Sequence, residues 1–166
     1  MEIVEIGAVR INTANPSDTE QHFSMLVQPV LNPQLSEYFI KLTSISQQKL
    51  DSEAVSLKKA LDAFQTFAGG TTHFYSYGDD GDIISQNCAL LDINNPLNDK
   101  TMVNARAAIK AAYGLDHNIT SADLPDAVGI MVKNTPLRAH QALDDARAVA
   151  AVLVPLLQDP DFSPQA

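Results

Sequence analysis

Residues 3–11 (IVEIGAVRI) constrain the fold more than any other stretch. Val4, Ile6, Ala8 and Arg10 fall on one face of an extended chain, and Ile3, Glu5, Gly7, Val9 and Ile11 on the other. Such a period of two predicts a strand. Residues 12–19 (NTANPSDT) are turn chemistry, and residues 22–28 (HFSMLVQ) return as a second strand. The expectation is an antiparallel hairpin with a long turn, ended by Pro29 and Pro33.

Helical spacing takes over downstream. Residues 35–50 mix short helical pieces with Ser and Thr caps. Val55, Leu57, Ala60, Leu61, Phe64 and Phe67 mark an amphipathic helix closed by Gly69-Gly70. Residues 72–77 (THFYSY) are β-prone and predict a buried strand, broken by residues 78–81 (GDDG). Helices are expected over residues 83–91, over 102–113 up to Gly114, and over 121–128 with Ser121 as cap and Pro125 in the first turn. A last helix over residues 141–157 carries an apolar face from Leu143 to Leu157, with Pro155 expected to kink or shorten it. One α/β domain over 1–158 and a loose tail over 159–166 account for the chain.

At 166 residues and 45% apolar composition, one substantial core is expected. A single cysteine, Cys88, excludes an internal disulfide framework and suits a reducing cytoplasmic setting. No run reaches the roughly 18–20 apolar residues that span a bilayer, so no membrane partner is expected. The net charge of −9, with Lys and Arg scattered, disfavours a non-catalytic binder of long duplex DNA. The acids are either a solvated surface or include ligands of divalent cations that supply positive charge locally.

Three groups could carry chemistry. Asp79, Asp80 and Asp82 follow the third strand, either as a solvated Asp-Gly turn or as carboxylates delivered to a strand end. His140 precedes the final helix, and Asp144 and Asp145 lie in its opening turns. Acids there are favoured by the helix dipole, so a structural reading stands beside a catalytic one. Glu2 and Glu5 lie three apart on a strand and face opposite sides, so they cannot share one metal; Glu5 reads as structural and Glu2 as an edge residue.

In order along the chain, EIVEIGAVRI, the 23–50 segment with its "LTSISQQ", FYSYGDDGDII, NARAAIKAAYGL and HQALDDARAVAAVL resemble the DEDDh 3′–5′ exonuclease family, in its KapD- and Eri-type branch. The resemblance covers nearly the whole chain. It implies an RNase H-like α/β fold, a mixed sheet flanked by helices. It also implies a metal-dependent 3′–5′ exonuclease acting on single-stranded DNA or RNA ends, with Mg²⁺ or Mn²⁺ as cofactor. Carried over, Asp145 is a metal ligand, His140 the general base and Asp80 the ligand of the second motif. Asp79 is the substitute for Asp80, because the family places an aromatic residue just before this Asp. Tyr77 or Tyr75 could stack a terminal base, against a plain role in strand packing.

The family's first motif, Asp-x-Glu on a preceding central strand, has no counterpart here. Asp18-Thr19-Glu20 and Asp51-Ser52-Glu53 follow no plausible first strand. Two of four acidic ligands are then absent, and at most one metal is held loosely. The open sheet edges are expected to collapse, to borrow a strand or to pair two copies into a homodimer, unless the sequence starts inside a longer product. A catalytically silent remnant that binds nucleic-acid ends or a protein is the alternative.

Overall fold

A computed structural model describes residues 2–12, 20–71, 73–115, 118–132 and 137–164. Strands β1 (Glu5–Arg10) and β2 (Gln21–Leu26) pair antiparallel from Glu5↔Leu26 to Arg10↔Gln21, as the alternation predicts. The turn expected over 12–19 lies almost wholly outside the described residues. Three short helices follow: α1 (Glu37–Thr43), α2 (Gln47–Glu53) and α3 (Leu57–Ala68). Each starts at a serine, Ser36, Ser46 or Ser56, whose hydroxyl accepts a backbone N–H of the first turn. Gly69 ends α3 at φ +58°, where a side chain would be strained.

β3 (His73–Ser76), α4 (Asp80–Leu90) and β4 (Thr101–Asn104) form a parallel β–α–β unit. The strand β4 corrects the sequence expectation, which ran one helix through residues 102–113. Asn104 is the reason: its Oδ1 accepts the Arg106 N–H at 3.1 Å, turning the chain so that α5 (Arg106–Tyr113) starts only there. Met102 and Ala105 fit a helical spacing by coincidence. β3 is also less buried than expected: His73 and Tyr75, which share one face of the strand, are exposed.

α6 (Leu124–Val128) begins after Asp123 rather than Ser121, with Pro125 in its first turn. α7 (Ala142–Leu157) holds Pro155 inside its last turn. The segment expected as a loose tail starts with a turn, and Phe162 packs on the core.

Two main clusters hold these elements. α3 and α4 pack on the hairpin through Leu61, Phe64, Cys88 and Phe23. α5, α6 and α7 enclose Ile109, Leu124, Val152 and Tyr77. The described strands thus form two separate two-stranded sheets, β1–β2 and β3–β4, with a cavity of about 1000 Å³ between them. No helix among the described residues is long and apolar enough to cross a membrane.

Candidate active site

The site sits where the N-terminus of α7 meets β1. Gly7 permits this contact: a Cβ there would lie 2.2 Å from the backbone of Ala142 and Leu143. Glu5 fixes it, since its Oε2 accepts the Ala142 N–H at 2.9 Å and its Oε1 the Ser24 hydroxyl at 3.1 Å. A carboxylate on a helix's first N–H is favoured by charge and by the orphan donor it satisfies. Glu5 is therefore structural, as its strand position suggested. Glu2 accepts the backbone N–H groups of Val30, Leu31 and Asn32. Burial works to raise its pKa, but these hydrogen bonds win and leave it lowered.

The two neighbouring acids at the start of α7 divide the work. Asp144 is committed: Oδ1 is 3.3 Å from Arg147 Nη1, and Oδ2 accepts the Arg138 N–H at 3.0 Å. It holds the loop that leads into the helix. Asp145 faces the cavity instead. Burial raises its pKa, opposed by hydrogen bonds from the His140 backbone N–H and the Ser121 hydroxyl and by the His140 charge. Among the described residues its Oδ1 is buried with no hydrogen-bond partner. A desolvated carboxylate oxygen without a partner is costly and marks a site that expects another group.

His140 is an exposed residue in the left-handed region, at φ +65°. Few non-glycine residues adopt this conformation, and such strain persists where its surroundings enforce it. Here the conformation turns the His140 N–H onto Asp145. The imidazole itself does not line the cavity.

Asp80, the first residue of α4, lines the same cavity as Asp145. Asp79 does not. Its Oδ1 accepts the Asn104 amide at 2.9 Å, and it borders a smaller groove of about 240 Å³. Tyr77 is buried at 7% exposure, its ring covered by Arg106 at 4.8 Å and its hydroxyl without a partner among the described residues. The structure thus gathers Asp80, Asp145 and Tyr77 around one cavity and leaves Asp79 and the His140 ring outside it. Sequence reasoning missed Ser121, taken for a helix cap, and Arg106; no spacing signal marks either.

The donor set is thin. Among the described residues no group of three or more His, Cys, Asp or Glu side chains converges as a metal site. Asp145 Oδ1 and Asp80 suit a hard divalent cation in chemistry, but two carboxylates fall short of the six oxygens such ions take. The residues described do not by themselves fit a two-ion centre.

The exonuclease (RNase T) family model matches residues 1–153. The mouse protein "3'-5' exoribonuclease 1" is 30% identical over 167 residues, covering 95% of this chain and 47% of that protein. Mouse "ERI1 exoribonuclease 2" is 30% identical over 182 residues, covering 95% of this chain and 26% of that protein. The chain therefore spans half or less of the length of these relatives. Among solved structures, the nuclease domain of 3'hExo, described as a DEDDh family member bound to rAMP, superposes with a TM-score of 0.75 at 25% identity, over 98% of this chain and 84% of that one. The nuclease CRN-4 shares the fold alone, with a TM-score of 0.75 at 20% identity, over 95% of this chain and 57% of that one. With an RNase H-like α/β fold and a family match along most of its length, the chain belongs to the DEDDh 3′–5′ exonuclease family.

Proposed function

We propose that the chain is the nuclease unit of a metal-dependent 3′–5′ exonuclease that hydrolyses the terminal phosphodiester bond of single-stranded RNA or DNA. The observation that carries this reading is Asp145, which lines one cavity together with Asp80 and, among the described residues, keeps one carboxylate oxygen buried without a hydrogen-bond partner. A purely structural acid at a helix start would be paired, as Asp144 is. The relatives' names, an exoribonuclease and a nuclease bound to rAMP, favour RNA ends.

The family works with divalent cations, which activate water and steady a leaving oxygen when bound; Mg²⁺ or Mn²⁺ is the proposed ion. The chain's own residues do the rest. Ser121 and the His140 N–H aim the Asp145 carboxylate. His140 is the proposed general base on the strength of the family resemblance; its exposed imidazole lies outside the cavity in this structure and would turn inward to take the proton of the attacking water. The Tyr77 ring, which lines the cavity beneath Arg106, is the proposed stacking contact to a terminal base.

The thin donor set favours a second reading, a silent descendant that binds nucleic-acid ends or a protein without cleaving. A 5′-labelled single-stranded oligonucleotide, as RNA and as DNA, incubated with Mg²⁺ or Mn²⁺, separates the two. A ladder shortening from the 3′ end, cut at least 100-fold in His140→Ala and Asp145→Asn, is the expected result. Retention of the oligonucleotide without shortening would overturn catalysis and leave the binding reading.

A further inference from the structure

Arg106 is the first residue of α5, where a helix least favours a cation. A positive side chain there meets the partial positive charge of the helix N-terminus, and the first turn holds no acid to offset it. The helix gains nothing from this charge.

The position of Arg106 in the sheet suggests a use. β3 and β4 are parallel, in register from His73↔Thr101 to Ser76↔Asn104. Their carboxyl ends therefore lie side by side, at the end where open α/β sheets hold their ligands. The chain leaving β3 presents Asp80 at the start of α4, and the chain leaving β4 presents Arg106 at the start of α5. Asn104 ties the two exits together. Its amide donates to Asp79 Oδ1 at 2.9 Å, and its own Oδ1 accepts the Arg106 N–H at 3.1 Å. Arg106 thus lines the same cavity as Asp80 and Asp145.

The guanidinium is held in place without being consumed. It lies over the Tyr77 ring, 4.8 Å from the centroid, and the residue is exposed. Stacking engages the flat face of the guanidinium and leaves the N–H groups on its edge available. Among the described residues those groups have no hydrogen-bond or ion-pair partner. Arg10, which also borders the cavity, is committed by contrast: it donates to the Phe67 carbonyl at 2.7 Å and to the Gln21 side chain. A planar cation fixed by an aromatic ring, with its edge donors open, matches a pair of phosphate oxygens. In a chain of net charge −9, with two acids in this cavity, a polyanionic ligand needs such a fixed positive group.

We propose that Arg106 is a substrate-binding residue that grips one backbone phosphate of a single-stranded nucleic acid near its 3′ end, with the Tyr77 ring as its support. The inference rests on the nuclease reading for the identity of the ligand, but not for cleavage itself. Base stacking on Tyr77 and phosphate binding by Arg106 engage neighbouring parts of the same strand.

Anisotropy of a short 5′-fluorescent oligonucleotide in EDTA reads binding apart from metal-dependent cleavage. Arg106→Gln should weaken binding by about tenfold or more. It should also lower the slope of log affinity against log salt by about 0.7, the loss of one single-strand phosphate contact. Arg106→Lys keeps a point charge but not the stacked fork, so it should keep the slope and recover only part of the affinity. A neutral methylphosphonate placed at each linkage near the 3′ end in turn locates the phosphate. At one linkage the parent should lose about as much affinity as Arg106→Gln does, and the variant should lose little more. If the parent shortens the strand in Mg²⁺ or Mn²⁺ while Arg106→Gln keeps its affinity, salt slope and KM, the proposal fails and the nuclease reading stands. Methylphosphonate losses that are equal in parent and variant at every linkage would overturn it as well. Binding that depends on Arg106 at one linkage, without any cleavage by the parent, would sustain the proposal and remove the nuclease reading.

Discussion

Asp144 and Asp145 are chemically identical and adjacent, yet their surroundings assign them opposite roles. Asp144 has a cation and a backbone donor. Asp145 has two donors on one side and an unmatched oxygen on the other. Burial raises the Asp145 pKa in the folded state, so ionisation costs more there than in the unfolded chain. The penalty is absent below the ordinary carboxylate pKa of 3.8, grows as pH rises through it, and is complete above the raised folded value. Asp145→Asn keeps an acceptor for Ser121 and His140 and removes the charge. It should therefore melt higher than the parent at pH 7 without added divalent ion, with the gap closing as pH falls toward 3.8. Thermal unfolding by circular dichroism across pH 3–8 checks this. A parent that melts higher at pH 7 would mean that the carboxylate is already satisfied.

Between elements, the contact that matters most is β1 against α7, and it depends on the smallest residue in the strand. A methyl group at Gly7 would collide with backbone, which has no rotamer to yield. Gly7→Ala should destabilise the chain by about 3 kcal/mol or more, beyond an ordinary overpacked core, measured by urea unfolding. A loss below about 1 kcal/mol would show that α7 shifts freely on the sheet. The hairpin, α3 and α7 were legible in the sequence because each carries a clean period of two or of 3.6 over enough residues. β4 was not, because four residues are too few to establish a period and Met102 and Ala105 happen to extend the spacing of α5. For the site, an Asp at the end of β3 and a His-Asp pair at α7 could be read from position. The choice of Asp80 over Asp79, the partnership of Ser121 with Asp145 and the pinning role of Glu5 could not, because each depends on contacts across elements distant in sequence.

At the scale of the whole molecule, the described residues form two half-sheets, with helices α3 and α7 lining the cavity between them. Its stability is then unevenly distributed. The outer clusters pack around fully buried Leu61, Ile109, Leu124 and Val152, whereas the inner strand edges lack partners among the described residues. Amide exchange follows hydrogen bonding and local opening, so the two edges of one strand should behave differently. Ile6, Ala8 and Arg10, bonded to β2, should be slow; Gly7, Val9 and, on β3, Tyr75 should be fast. Residue-resolved exchange by NMR reads this alternation directly. Uniform protection along β1 in the free chain would mean that its inner edge is already paired, and the two half-sheets would then be one sheet in solution.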